Sequence, residues 1–239
     1  MLTAAIEKLL NLAKPESIEI EGRSFYDPSY RELSAEQDVN SFTVNTLTGL
    51  VDYVKSEFDT ERKMMIHVES PTKIRLFDAL NTTNDRRTYL RAEALLPEIH
   101  FGNWVEREMF QIALQANFCL NDDKAELLKV VSHMTVGEGA TVKDSGVTQE
   151  VTVKQGIELA HVDLKERYTL MPYRTFVEVD QPASEFIFRV KDDGQKKIYC
   201  SLHEADGGAW ELNAMHSIKL YLFEQLKDAI EAKRIYIVS

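Results

Sequence analysis

The hydrophobic patterns run in the order helix, strands, two helices, strands, helix. This order predicts an α+β fold built of antiparallel sheets, a meander and hairpins, with packed helices, rather than regular βαβ winding. Three observations carry the prediction. Leu47, Leu50, Val51, Val54 and Phe58 recur at helical spacing just before three strand-length runs. Phe186, Phe188 and Val190 alternate in step with Ile198, Cys200 and Leu202 across a turn, as the arms of a hairpin do. The stretch 103–118 is apolar on two opposite helical lines, Val105, Met109, Ile112 and Ala116 on one and Phe110, Leu114 and Phe118 on the other. With 239 residues, 44% of them hydrophobic, the chain buries a sizeable core without help from metals or disulfides.

Taken in order, residues 2–14 read as a short helix stopped by Pro15. Residues 17–26 alternate around Gly22 as two short strands ending at Asp27 and Pro28. Residues 30–40 are polar and irregular, so 1–40 is expected to form a leader and arm, and 41–239 the main α+β body. The single-sided helix of 46–58 precedes strands at 64–69, 72–80 and 88–96, separated by a Ser-Pro turn and the loop 81–87. Pro97 breaks that pattern. Asn103 with Glu106 resembles an N-cap opening the two-faced helix, and Asn121 with Asp122 and Asp123 opens another that runs through Leu127, Leu128 and Val131 to His133.

After Gly137 and Gly139, residues 141–142 and 147–153 read as a β-branched hairpin. A second hairpin, 185–190 with 197–203, turns at Asp192, Asp193 and Gly194, which makes Cys200 a core residue. A short strand at 209–212 then leads to a last helix capped by Asn213, with Met215, Ile218, Leu222, Leu226 and Ala229 as its stripe. Residues 235–238 add a final strand.

A net charge of -11, from 39 acidic against 28 basic residues, is spread along the chain. Such a surface repels phosphate backbones at long range and disfavours duplex nucleic acid, while leaving room for a local pocket that holds a small anion. The densest basic cluster is Arg86, Arg87 and Arg91, following Asn81 and Asn84; its alternative is an ordinary solvated loop and strand edge. No apolar run approaches the roughly 18 to 20 residues needed to cross a bilayer, and the amino terminus lacks a basic region followed by an apolar stretch. Cys119 and Cys200 lie in unrelated contexts, so no disulfide framework or zinc cluster is implied and a reducing cytoplasm fits best.

Chemistry is sparse. The six histidines never fall at the spacing of two ligands on one helix face, and His203, Glu204 and Asp206 run into a Gly-Gly turn. There is no Gly-x-Ser-x-Gly elbow, and Gly137-x-Gly139 has no Lys-Ser or Lys-Thr behind it. The expectation is therefore no enzyme, no metal and no cofactor. The two-faced helix instead needs a second cover, supplied either by another layer of the chain or by another subunit. Self-association into a homo-oligomer is the leading reading, with Phe110, Leu114 and Phe118 at the interface.

One string, Gly146-Val-Thr-Gln-Glu-Val-Thr-Val-Lys-Gln-Gly156, is followed by Leu170-Met-Pro-Tyr-Arg-Thr-Phe-Val-Glu-Val-Asp-Gln-Pro182. After these come Phe186-Ile-Phe-Arg189 and Glu204-Ala-Asp-Gly-Gly-Ala-Trp210. Together they resemble the YfdQ-like phage and prophage protein family of unknown function, and the resemblance reaches back to the helix of 46–58. It implies a phage-encoded accessory protein in the cytoplasm of a bacterial host, and brings no active site with it. Read physically, the proline-bounded segment around Tyr173, Arg174 and Phe176, with Trp210, is a docking loop at an interface; in the alternative, the aromatics fill the core and Arg174 pairs with a carboxylate. Beside self-association stand two further functions. One is the binding of a small nucleotide signal, with Arg86, Arg87, Arg91 or Arg174 as phosphate contacts. The other is an accessory role in phage recombination or replication.

Overall fold

The computed structural model describes residues 17–20, 23–26, 31–32, 40–59, 62–80, 84–134, 143–144, 149–155, 158–193 and 197–239. The expectations for 2–14, Asp27 and Pro28, Gly137 and Gly139, and Gly194 lie outside the described residues. The chain divides into two compact units, Met1–Asn40 and Ser41–Ser239. In the first, β1 (Ser17–Ile20), β2 (Arg23–Tyr26) and β3 (Arg31–Glu32) form an antiparallel sheet in that order.

The second unit is α+β. It begins with β4 (Phe42–Val44), α1 (Leu47–Ser56), β5 (Met64–Ser70), β6 (Lys73–Asp78) and β7 (Thr88–Glu93). There follow β8 (Val105–Glu106), α2 (Arg107–Asn117), α3 (Asp122–His133), β9 (Lys143–Asp144), β10 (Gln149–Gln155), β11 (Glu158–Asp163) and β12 (Tyr168–Leu170). It closes with β13 (Ser184–Asp192), β14 (Ile198–Glu204), α4 (Ala209–Gln225), α5 (Lys227–Glu231) and β15 (Ile235–Val238). No helix among the described residues is long and apolar enough to cross a membrane.

A five-stranded sheet in the order β15-β5-β6-β7-β4 holds the expected meander at its centre. Its edges depart from the expected antiparallel pattern, because β15 runs parallel to β5 and β4 parallel to β7. Alternation sends Ile66, Val68, Ile74, Leu76, Leu90 and Ala92 to one face, where Leu47, Leu50, Val51 and Val54 of α1 and Ile218 and Leu222 of α4 complete a core. Full burial of each of the Val, Leu and Ile side chains stabilises by roughly 1.5–3 kcal/mol. The Thr46 hydroxyl caps α1 by accepting from the Gly49 amide at 3.0 Å, and a Cβ at Gly49 would lie only 3.3 Å from Val44 Cβ. The helix stops at Ser56 because Glu57 turns left-handed with φ 53°, which leaves Phe58 exposed rather than on the expected stripe.

A four-stranded sheet, β12-β13-β14-β8, carries the second core against α2 and α3. The hairpin reading of β13 and β14 is the observed one, with Val190 opposite Cys200 and Phe188 opposite Leu202. Three expectations are corrected here. The two-faced helix starts at Arg107 rather than Asn103, because Val105 and Glu106 pair with Cys200 and Tyr199 as β8. Residues 209–212 are the first turn of α4 rather than a strand, since Gly208 at φ 82° opens the helix, and Asn213 lies inside it rather than at its cap. The hairpin after residue 140 is a three-stranded sheet, β11-β10-β9, whose third strand the hydrophobic pattern did not announce.

The interface role expected for Phe110, Leu114 and Phe118 is overturned by their surroundings. All three are buried within their own chain, Phe110 with its ring centroid 5.4 Å from Phe188 and Phe118 at 6.3 Å from Phe186. The second layer that the helix needed is the sheet of β12 to β14. Its other line is open, with Met109 and Ile112 both more than half exposed.

A candidate anion site on an open sheet face

Among the described residues, the helices cover one face of the five-stranded sheet. On β6 the alternation that buries Ile74 and Leu76 turns Arg75 and Phe77 outward. The register then sets Arg75 directly opposite His67 of β5 on one side and Arg91 of β7 on the other. Val238 and Thr43 extend the same row to both edges, so one line crosses all five strands and carries three basic side chains in its middle. Like charges placed directly across strands repel. Glu69 offsets part of this: its carboxylate accepts from the Arg75 guanidinium and lies 3.6 Å from His67 Nδ1.

The offset is incomplete. Arg91 is exposed and has no ion-pair partner among the described residues, and Arg75 Nε is closed to solvent without a hydrogen-bond acceptor. Two residues along β6, the Arg86 guanidinium lies 5.3 Å from the centre of the Phe77 ring and donates to the Asp78 carbonyl at 3.3 Å. Two shallow hollows meet at Arg75. One of about 260 Å³ is lined by Lys73, Arg91, Glu69 and Glu93; the other, of about 370 Å³, by His67, Phe77, Leu80 and Arg86.

Of the expected basic cluster, Arg86 and Arg91 therefore fall on either side of Arg75. Arg87 serves the loop through its backbone, its amide donating to Asp78 Oδ1 at 2.9 Å and its carbonyl accepting from the Asp78 amide at 3.1 Å. Sequence reasoning singled out neither Arg75 nor His67. The alternation in Lys73-Ile-Arg-Leu-Phe-Asp78 held half of the signal; the register that aligns three strands was the other half.

Arg174 lies elsewhere and is already engaged, which corrects its expected role as a phosphate contact. Its guanidinium stacks 3.9 Å from the Trp210 ring centre and donates to Glu204 Oε1 at 2.7 Å and to the Ser184 hydroxyl. Burial pulls its pKa down to about 10 against the opposing pull of Glu204, Asp206 and Glu211. Gln181 Oε1 accepts from the amides of Arg174 and Thr175, and the Thr175 hydroxyl donates to the Pro71 carbonyl at 2.6 Å. These bonds pin the proline-bounded loop between the two sheets and seat Phe176, 1% exposed, in the core under the five-stranded sheet. Phe176 is thus core rather than interface. Trp210 is half-buried under Arg174, and Tyr173 stays exposed.

Nothing else gathers into a reactive constellation among the described residues. Burial pushes the Cys200 thiol up to about 12, away from the thiolate a nucleophile needs. His203 Nε2 sits 3.1 Å from the Ser201 hydroxyl, Glu204 is taken by Arg174, and no group of three His, Cys, Asp or Glu is placed to hold a metal ion. Comparison with protein-family models, with curated proteins and with solved structures returns no match. Fold and geometry by themselves define an α+β protein whose five-stranded sheet has one helix-covered face and one cation-lined face that no helix covers among the described residues.

Proposed function

We propose that this chain is a non-enzymatic binding protein that holds a small anion on the open face of its five-stranded sheet. The observation that supports this is the cross-strand row of His67, Arg75 and Arg91, with Arg91 unpaired among the described residues. A net charge of -11 keeps long polyanions away, while a local row of guanidinium groups still selects a compact phosphate or carboxylate. The YfdQ-like resemblance adds the setting, an accessory protein made by a phage in the bacterial cytoplasm. Titration calorimetry with inorganic phosphate and pyrophosphate tests the site. Binding that weakens with salt and is lost in Arg91→Gln is the expected result, and no heat up to millimolar anion would sink the reading.

A second reading, the homo-oligomer, moves to a different helix. α4 buries Ala214, Ile218 and Leu222, yet Leu212, Leu220 and Phe223 on its opposite side are exposed. An apolar helix face without cover favours association with another copy. Light scattering after size exclusion should then give a mass above 27.4 kDa that Leu220→Glu returns to the monomer value. A monomeric native chain at micromolar concentration would end this reading without touching the first.

A further inference from the structure

We infer that the ligand of the open face is a phosphorylated aromatic compound of nucleoside monophosphate size, its phosphate between Arg75 and Arg91 and its ring against Phe77 and Arg86. The inference rests on the anion-binding reading and adds a second subsite to it. Both hollows are lined mostly by polar groups, but the one at Phe77 adds an aromatic ring and the exposed side chain of Leu80 beside Asn84, Asp85 and Arg86. Arg75 belongs to both. A hollow of charged groups next to a polar one that holds an aromatic ring fits a ligand that is ionic at one end and flat at the other.

The spacing agrees. Arg75 and Phe77 are two residues apart on one face of β6, about 6.6 Å along the strand, comparable to the reach from the phosphate to the base in a nucleoside monophosphate. Arg86, exposed and with its guanidinium 5.3 Å from the centre of the Phe77 ring, offers a planar cation of the kind on which unpaired bases stack. At about 370 Å³ the larger hollow lies at the small end of ligand pockets, enough for one ring and its sugar and too small for a folded nucleic acid.

Glu69 has a definite part in this arrangement. Its carboxylate occupies the Arg75 guanidinium that the phosphate would take, so the ligand competes with an internal anion. Affinity should therefore rise when Glu69 loses its charge, a direction opposite to that of ordinary damage to a site.

The experiment compares inorganic phosphate, the four nucleoside monophosphates and the matching nucleosides by calorimetry on the native chain, so no variant need fold for the proposal to be judged. At least one monophosphate should bind about tenfold or more tightly than phosphate or its own nucleoside, within the range of one stacking contact. Phe77→Leu should erase that advantage while leaving phosphate binding in place, Arg91→Gln should weaken both, and Glu69→Gln should tighten both. Phosphate binding with no monophosphate tighter would overturn the ring subsite and leave the anion site standing. Loss of every binding event would overturn both together.

Discussion

The ammonium of Lys124, at the start of α3, donates to two carbonyl oxygens at the end of α2, those of Phe118 and, at 3.1 Å, of Gln115. The last carbonyls of a helix have no partner within it. Here a cation from the next helix supplies one, at the end where the helix dipole favours positive charge. Burial holds the Lys124 pKa below its usual value, with a smaller opposing effect from Cys119. Lys124→Met keeps most of the apolar stem but strands both carbonyls, and should destabilise by about 1–3 kcal/mol. Urea denaturation gives the size of the loss, and faster amide exchange in the last turn of α2 would show that it arises there.

Arg174 and Trp210 are a second such dependence. The guanidinium lies over the indole and reaches Glu204 and Ser184 at once, a geometry that an ammonium cannot reproduce. Arg174→Lys should cost about 3 kcal/mol, the lower end for breaking a buried pair, because Glu204 is itself partly open to water. Trp210 fluorescence should shift in the folded variant. An unchanged spectrum and melting point would mean that the stack contributes nothing.

The helix over 46–58 and the hairpin of β13 and β14 were legible because one face of each is apolar at a regular period and the other is not. The two-faced helix misled for a physical reason. Periodicity shows that a face must be covered, but the cover is chosen by the tertiary pairing of Phe110 with Phe188 and Phe118 with Phe186, which no local pattern encodes. Residues 209–212 misled because Gly207 and Gly208, read as a turn between strands, are the left-handed entry to α4. The basic cluster was half legible. Arg86 and Arg91 are neighbours in sequence, whereas His67 and Arg75 join them only through the strand register.

The pH dependence of stability should have a component at Asp123. Burial would raise its pKa, but the ammonium of Lys165 at 2.9 Å and the amide of Thr169 at 2.6 Å outweigh that and hold it below the ordinary 3.8. A carboxylate whose folded pKa is depressed contributes stability in full above its unfolded value and loses it as pH falls through the folded value. Asp123→Asn should therefore be less stable than the native chain at neutral pH, and the gap should close on acidification below about pH 4. A gap of constant size from pH 7 to 3 would show that the carboxylate's charge is not what stabilises this corner.

Phe110 separates packing within the chain from packing between chains. Its ring fills the space between α2 and Phe188, and it is 7% exposed. Phe110→Ala should cost about 3–5 kcal/mol, the loss of a buried aromatic plus the cavity it leaves. The mass by light scattering should stay at the native value, whatever that is, because the residue touches its own sheet. Leu220→Glu is the mirror case: on the exposed side of α4 it should leave the melting temperature of the monomer nearly unchanged and act only on assembly. A Phe110→Ala chain that keeps its stability but changes its mass would reverse both assignments and return this helix to a subunit interface.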